Sequence, residues 1–223
     1  MSIAQAGASA SAGTATVAVT VGMGTAHENE YLVEARAAGF RWGSWDRSLR
    51  NMLVSRYSWA IPNEEALQAI ARHSPRGLVE IGAGTGYWAS LLQANGLSVF
   101  AYDSCPPRTR QHTNSYFRYD RRGVVGTLWT EVKRGGARRA ADHPERTLFL
   151  CWPPYNAKMA ANALKAYAKA GGTTLAYIGE GAGGCTADDS FHEMLAEGWE
   201  EVESVAIPRW SGMHDALIIW RRK

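Results

Sequence analysis

The sequence predicts an α/β fold, with helices doubly wound on a mostly parallel sheet and an antiparallel hairpin at its C-terminal end. Three observations carry this. Beyond Pro75, short apolar runs alternate with amphipathic ones, the pattern of parallel strands joined by crossover helices. The stretch "VEIGAGTGYWASLL" (Val79–Leu92) sets three glycines at alternate positions between a strand-like run and a helix-like one. The last two strand-like runs, "EEVESVAIPRW" and "HDALIIWRRK", are joined by "SGM" with no helix between them, so they are expected to pair antiparallel at the sheet edge.

Element by element, residues 1–26 are rich in Ala, Ser, Gly and Thr and read as a flexible tail, although "TVAVTV" has strand character. From "HENEYLVEARAAGF" the pattern is helical. "WGSWDRSLRNMLVSRYSWAIPNEEALQAIARHSP" reads as two helices separated at Pro62, the second capped by Asn63, with Glu64 and Glu65 in its first turn and Pro75 beyond its end. "GLVEIG" is a buried strand, "YWASLLQANG" a helix stopped by Gly96, and "LSVFAYD" a second strand. "WTEVKRGG" is expected to hold strand three and "RTLFLCW" strand four. "NAKMAANALKAYAKAGG" is an amphipathic helix, "TTLAYIGE" strand five, and "DDSFHEMLAEGW" the helix before the hairpin.

Composition bounds the function classes. The chain has 223 residues, 46% of them hydrophobic and 20% charged, with a formal net charge of +3, which describes a globular protein without a dense basic stripe. No apolar run approaches the roughly 18 residues of a membrane span. The cysteines, Cys105, Cys151 and Cys185, are odd in number and too far apart for a zinc motif, so a reducing cytoplasmic setting is expected. The first residues lack the positive start and apolar block of a secretory signal.

Glycines where a strand enters a helix let the backbone turn sharply and approach a ligand that a Cβ would exclude. The dinucleotide fingerprint wants a further glycine near Tyr87, and phosphate loops want Gly-Lys-Ser/Thr; the sequence has neither. It has instead Glu80-Ile81-Gly82-Ala83-Gly84-Thr85-Gly86, with a second acid, Asp103, ending the next strand in "FAYD". This combination resembles motif I and the strand-two acid of the class I S-adenosylmethionine-dependent methyltransferases. The resemblance covers roughly residues 62–223 and implies their Rossmann-like, seven-stranded sheet with an antiparallel last strand. It also implies S-adenosyl-L-methionine as cofactor, with the glycine loop (Gly82, Ala83, Gly84, Gly86) around its amino-acid part, Asp103 and Ser104 near the ribose, Glu80 ordering the methionine end, and Cys151 at the site. The alternative for Glu80 is a capped, solvated strand end. Helices ahead of the core often form a substrate cap in that family, and residues 27–61 are expected to do so, with Tyr57 and Trp59 lining the pocket or packing in the core.

At the end of strand four stands "CWPPYNAKMA". Ligands of doubly wound sheets lie beyond the carboxyl ends of the strands, so Trp152-Pro153-Pro154-Tyr155 is where an acceptor belongs. The stretch resembles motif IV of the amino-methyltransferases, in which an Asp, Asn or Ser precedes the prolines and accepts from an amine. Trp152 stands there instead, and an indole donates but cannot accept. A buried amine left without its acceptor costs about 1–3 kcal/mol. Methylation of an amino group on a nucleic acid, or of a protein, is therefore the alternative. The favoured reading is a small-molecule acceptor, apolar or cationic, in a pocket walled by Trp152, Pro153, Tyr155, Tyr57 and Trp59. Trp152 and Tyr155 are the candidate catalytic residues, with His192 or His214 as base where the acceptor carries a proton; Glu180, Asp188 and Asp189 are weaker candidates, the aspartates being good N-caps. The stretch Arg108–Arg146 clusters positive charge with Tyr116, Phe117 and Tyr119, and reads as a solvated face before a polynucleotide track. No metal and no membrane partner are expected; a homodimer is compatible with the sequence, and a non-catalytic cofactor-binding protein is a third reading.

Overall fold

The computed structural model describes residues 29–41, 43, 46–107 and 128–223. The tail, the run "TVAVTV" and most of the basic segment, with Tyr116, Phe117 and Tyr119, lie outside the described residues.

Six α-helices and seven strands follow one another as α1 (Glu30–Ala37), α2 (Arg47–Arg56), α3 (Glu64–Arg72), β1 (Leu78–Ile81), α4 (Tyr87–Ala94), β2 (Val99–Asp103), β3 (Lys133–Arg134), β4 (Thr147–Cys151), α5 (Met159–Lys169), β5 (Thr174–Gly179), α6 (Asp189–Gly198), β6 (Trp199–Ala206) and β7 (Ala216–Arg222), among the described residues. A 3-10 helix, Ala137–Asp142, leads into β4. The sheet runs in the order β3-β2-β1-β4-β5-β7-β6. β1 pairs in parallel with β2 (Leu78 opposite Val99) and with β4 (Leu78 opposite Thr147), and β5 pairs in parallel with β4. β7 is antiparallel to both β5 and β6. This is the doubly wound, Rossmann-like architecture expected, with the antiparallel hairpin at the sheet edge. β7 threads between β5 and β6, so β6 alone takes the edge. The side chains account for this: β7 buries Leu217 and Ile219, whereas β6 is largely exposed and carries Glu200, Glu201 and Glu203, charges that suit an unpaired edge.

Period-two alternation splits the strand residues between two cores. Val79, Ile81, Leu148, Leu150, Leu175 and Tyr177 face α5, α6 and the 3-10 helix, while Leu78, Phe149, Ala176 and Ile178 face α3 and α4. The helix ends obey local rules. Asn63 Oδ1 accepts the Ala66 N–H at 3.1 Å to cap α3, and Asp188 caps α6 by accepting from Phe191 N–H.

α2 stops at Arg56, six residues short of the break expected at Pro62. The carbonyls that would have continued it are taken by donors from the domain: Trp129 Nε1 bonds the Arg56 oxygen at 2.8 Å, the Thr85 hydroxyl bonds Tyr57 O, and Trp88 Nε1 reaches Ala60 O at 3.3 Å. Around these bonds a third core of Tyr31, Phe40, Leu53, Tyr57, Tyr87 and Trp210 packs α1 and α2 against α4 and the segment before β7. Tyr57 stacks on Tyr31 and on Trp129, with 5.1 Å between centroids in each pair. These two helices are thereby fixed beside the carboxyl ends of the strands, where a cavity opens. Among the described residues, no helix is long and apolar enough to cross a membrane.

Candidate functional site

A cavity of about 460 Å³ opens beyond β1, β2 and β4, a volume within the range that holds small ligands. At one end is the glycine loop. Gly82, Gly84 and Gly86 have φ of +82°, +56° and +75°, the left-handed region that only glycine enters freely. At Gly86 space is restrictive as well, since a Cβ there would lie 2.8 Å from Val132 Cγ2, whereas one on Gly82 would meet only the flexible end of Met159, with Cε at 2.9 Å. The N–H groups of Gly82 and Ala83 both bond the Tyr102 carbonyl, which sets the turn against β2.

Two acids frame this end. Asp103 is buried, and its carboxylate accepts from Gly84 N–H at 2.9 Å and from Cys105 N–H at 2.8 Å. Each oxygen keeps further lone-pair capacity toward the cavity that both it and Ser104 line. Glu80 is only 2% exposed, so the solvated reading of that strand end does not hold. Its Oε2 is buried without a hydrogen-bond partner. Burial, reinforced by the charge on Asp103, pushes its carboxyl from 4.5 to about 8. An unpartnered buried carboxyl beside a bare-backbone loop suits a ligand that brings its own cation, and Asp103 suits one that brings hydroxyl donors.

At the other end, Cys151 ends β4 and Trp152 follows it. Trp152 sits at φ +51°, its N–H on Ile178 O at 2.8 Å. Its indole Nε1 donates to Asp215 Oδ2 at 2.8 Å, and its ring stacks on Trp59 with centroids 5.0 Å apart and planes 15° from parallel. The Arg50 guanidinium lies 5.6 Å from the Trp59 centroid and also lines the cavity. The Pro153 carbonyl accepts the Ala187 N–H at 3.1 Å and the Pro154 carbonyl the Ala157 N–H at 3.3 Å, so both proline acceptors are engaged internally. Tyr155 is 67% exposed and forms the rim. Tyr57 and Trp59 line the cavity, and Tyr57 also packs in the cap core.

The two candidate bases are not brought to the cavity wall. His192 turns into α6 and the core, with Nε2 3.2 Å from Thr186 O and its ring against Phe191 and Tyr177. The His214 side chain is 79% exposed; its backbone N–H bonds Glu180 Oε1 at 2.7 Å. Glu180 also accepts the Cys185 N–H at 2.7 Å, and so joins the glycine-rich loop after β5 to the segment before β7. Burial works to raise its carboxyl, but these bonds outweigh it and hold the carboxyl below the usual range. The cavity thiols are poor nucleophiles: burial pushes Cys151 well up, and burial with a bond to Glu180 pushes Cys185 up to about 12. Asp188 and Asp189 belong to the start of α6, Asp188 also pairing with Lys158 at 3.0 Å.

Three residues that sequence reasoning passed over shape the site: Arg50, Met159 and, behind Trp152, Asp215. Asp215 is 4% exposed, and its Oδ1 has no partner. None carries a local motif. Among the described residues, no cluster of His, Cys, Asp and Glu is gathered for a metal.

Fold and site together define a Rossmann-like α/β protein with a ligand cavity at the carboxyl ends of its strands. No family model and no curated protein matches the chain. Solved structures similar to it include magnesium protoporphyrin IX methyltransferase of Synechocystis PCC 6803 with bound SAH, at 10% identity and a TM-score of 0.48, over 87% of this chain and 95% of the other. A protein of echinomycin biosynthesis, described by the conversion of a disulfide bond into a thioacetal group, aligns at 18% identity and 0.45, over 73% and 82%. An rRNA methylase from Streptococcus thermophilus aligns at 16% and 0.40, over 71% and 94%.

Proposed function

We propose that this chain is an S-adenosylmethionine-dependent methyltransferase acting on a small-molecule acceptor. The observation that carries the reading is the buried Glu80 carboxyl with its unpartnered Oε2, set beside a glycine loop whose Gly84 N–H is held by Asp103. The cofactor's ammonium group matches the first of these groups and its ribose hydroxyls match the second. When bound, it supplies a methyl group on a cationic sulfur, and an acceptor lone pair displaces that sulfur in line, the carbon–sulfur bonding pair staying on sulfur.

This chain's residues then work by positioning. Glu80 loses its proton to the medium as the ammonium docks, leaving a charge pair in a dry site. Asp103 orients the ribose, and Gly82 permits the approach that a Cβ would block. Trp59, Trp152 and Pro153 give the acceptor a rigid wall, and holding two reactants in a near-attack arrangement accounts for much of the rate in such displacements. Because the described cavity wall contains no histidine, the reading favours an acceptor atom that carries no proton needing removal, or one already ionised at neutral pH. The indole at position 152, which donates but cannot accept, weighs against an exocyclic amine.

The test is transfer of radiolabelled methyl from S-adenosylmethionine into a cell extract separated into small-molecule, nucleic-acid and protein pools, beside Asp103→Ala. Label in the small-molecule pool that the variant loses supports the proposal. Label in polynucleotide or protein overturns the acceptor class, and S-adenosylhomocysteine binding without label in any pool favours a non-catalytic binding protein.

A further inference from the structure

We infer that the acceptor atom is a neutral thioether sulfur, methylated to a sulfonium at the end of the cavity bounded by Cys151, Trp152, Cys185 and Met213. The inference deepens the methyltransferase reading and rests on it; what it adds, the identity of the acceptor atom, is carried by three observations on the cavity wall.

The first is that the acceptor end offers no base. The charged side chains among the described lining residues are Arg50, Glu80 and Asp103. Arg50 lies over Trp59 and stays protonated, and the two acids stand at the glycine loop, where the cofactor takes them up. Glu180 and Asp215 lie behind the wall, with Glu180 holding the N–H groups of Cys185 and His214 and Asp215 holding the Trp152 indole. An alcohol or a thiol must shed a proton before or during attack, whereas a thioether offers a lone pair and carries no proton.

The second is the field. Burial holds the Cys151 and Cys185 thiols protonated, and negative charge adds to it: Glu80 and Asp215 act on Cys151, Glu180 and Asp215 on Cys185. An amine entering the same field is held as an ammonium, which has no lone pair to give, and a thiol stays protonated like the two already there. A neutral sulfur loses nothing in that field, and the positive charge it acquires is favoured by it.

The third is softness. Two thioethers, Met159 and Met213, line the cavity with the two thiols and with Trp152 and Tyr155. The donors are spent on the protein itself, since the hydroxyls of Tyr57, Ser58, Thr85 and Tyr87 and the Trp152 indole N–H all donate to protein acceptors. An oxygen or ring-nitrogen acceptor would give up its water and find no donor in return. A thioether is a weak acceptor with little hydration to lose, and it makes favourable contacts with aromatic rings.

The step balances without a proton. The acceptor's lone pair forms the new bond to the methyl carbon, the old carbon–sulfur bond breaks with its pair left on the cofactor's sulfur, and the products are the acceptor's sulfonium and S-adenosylhomocysteine. Positive charge passes from one sulfur to the other.

The experiment gives the full chain methyl-labelled S-adenosylmethionine with five probes of similar size: benzyl methyl sulfide, benzyl mercaptan, benzyl alcohol, benzylamine and 3-ethylpyridine. Labelled product is counted, and proton release is followed in weak buffer. The sulfide is expected to be methylated at least tenfold faster than each of the others, with no proton released. Asp215→Asn keeps an oxygen for the Trp152 indole but removes the charge, and is expected to slow sulfide methylation at least fivefold while S-adenosylhomocysteine affinity, read by calorimetry, stays unchanged. Faster methylation of any other probe, no methylation of any probe by a chain that binds S-adenosylhomocysteine, or an Asp215→Asn rate equal to the wild type overturns the inference and leaves the cofactor reading standing. Failure of S-adenosylhomocysteine to bind overturns the cofactor reading, and this inference with it.

Discussion

Replacing Glu80 by Gln is expected to stabilise the ligand-free protein and to cripple it as a cofactor binder. Burial and the neighbouring Asp103 charge raise the Glu80 carboxyl from 4.5 to about 8 in the fold. Between those values the folded protein holds a proton that the unfolded chain has released, so stability falls as pH rises through that window and levels off above it. Each pH unit inside the window is worth about 1.36 kcal/mol. A neutral, isosteric amide removes the slope, so Glu80→Gln gains on the wild type by about 2 kcal/mol at pH 6, about 3 at pH 7 and nearly 5 above pH 8. Whatever the amide loses by lacking partners, about 1–3 kcal/mol for a buried group, is the same at every pH and moves the baseline alone. Urea unfolding of both proteins at pH 6, 7, 8 and 9 measures the difference. A constant gap across that range would mean that Glu80 is ionised in the fold at neutral pH, and would refute the reasoning. In the same variant, S-adenosylhomocysteine affinity is expected to drop at least tenfold, the scale of a lost charged hydrogen bond of about 1.5–3 kcal/mol.

Wild-type affinity for S-adenosylhomocysteine should rise up to tenfold per pH unit from pH 6 towards 8, with about one proton released on binding, as calorimetry in buffers of different ionisation enthalpy will count. Asp103→Ala frees the N–H groups of Gly84 and Cys105 as well as the ligand's hydroxyls, so cofactor affinity is expected to fall more than tenfold; unchanged affinity would contradict the assignment. Gly86→Ala meets Val132 and Thr130 at 2.8 and 3.0 Å and needs φ of +75°, so it should cost about 1–3 kcal/mol in thermal unfolding and abolish cofactor binding. Glu180→Ala leaves two N–H groups behind without their acceptor and unties the loop after β5 from the segment before β7. A stability loss of roughly 2–4 kcal/mol is expected from two unsatisfied donors, with faster amide exchange at Cys185 and His214.

The local features of this protein were legible because their causes are local. Gly82, Gly84 and Gly86 had to be glycine wherever the chain went, since their φ angles belong to the peptide itself. Asn63 announced α3 by a bond to its own third residue on. Leu78 beside Val79 and Leu148 beside Phe149 declared a sheet buried on both faces through adjacency in sequence, and Asp103 was placed by being the last residue of its strand. The hairpin was legible as a pair but not in its order, because insertion of β7 beside β5 depends on which strand carries the apolar alternation once the edge is exposed to water.

The cavity itself belongs to the tertiary structure. Trp152 meets Asp215 across 63 residues of chain and Trp59 across 93, and Arg50 arrives from a helix that no periodicity ties to the pocket. His192 and His214 looked available in sequence, but His192 lies against Thr186 O and the exposed His214 ring stands 3.6 Å from Glu180 Oε1. Sequence by itself determined the elements, the glycine loop and its acids, since each follows from dihedral preference and side-chain period over a few residues. Which distant side chains line the cavity, only the tertiary structure decided, because hydrogen bonds and ring stacks between distant segments form only after the cores have fixed where those segments stand.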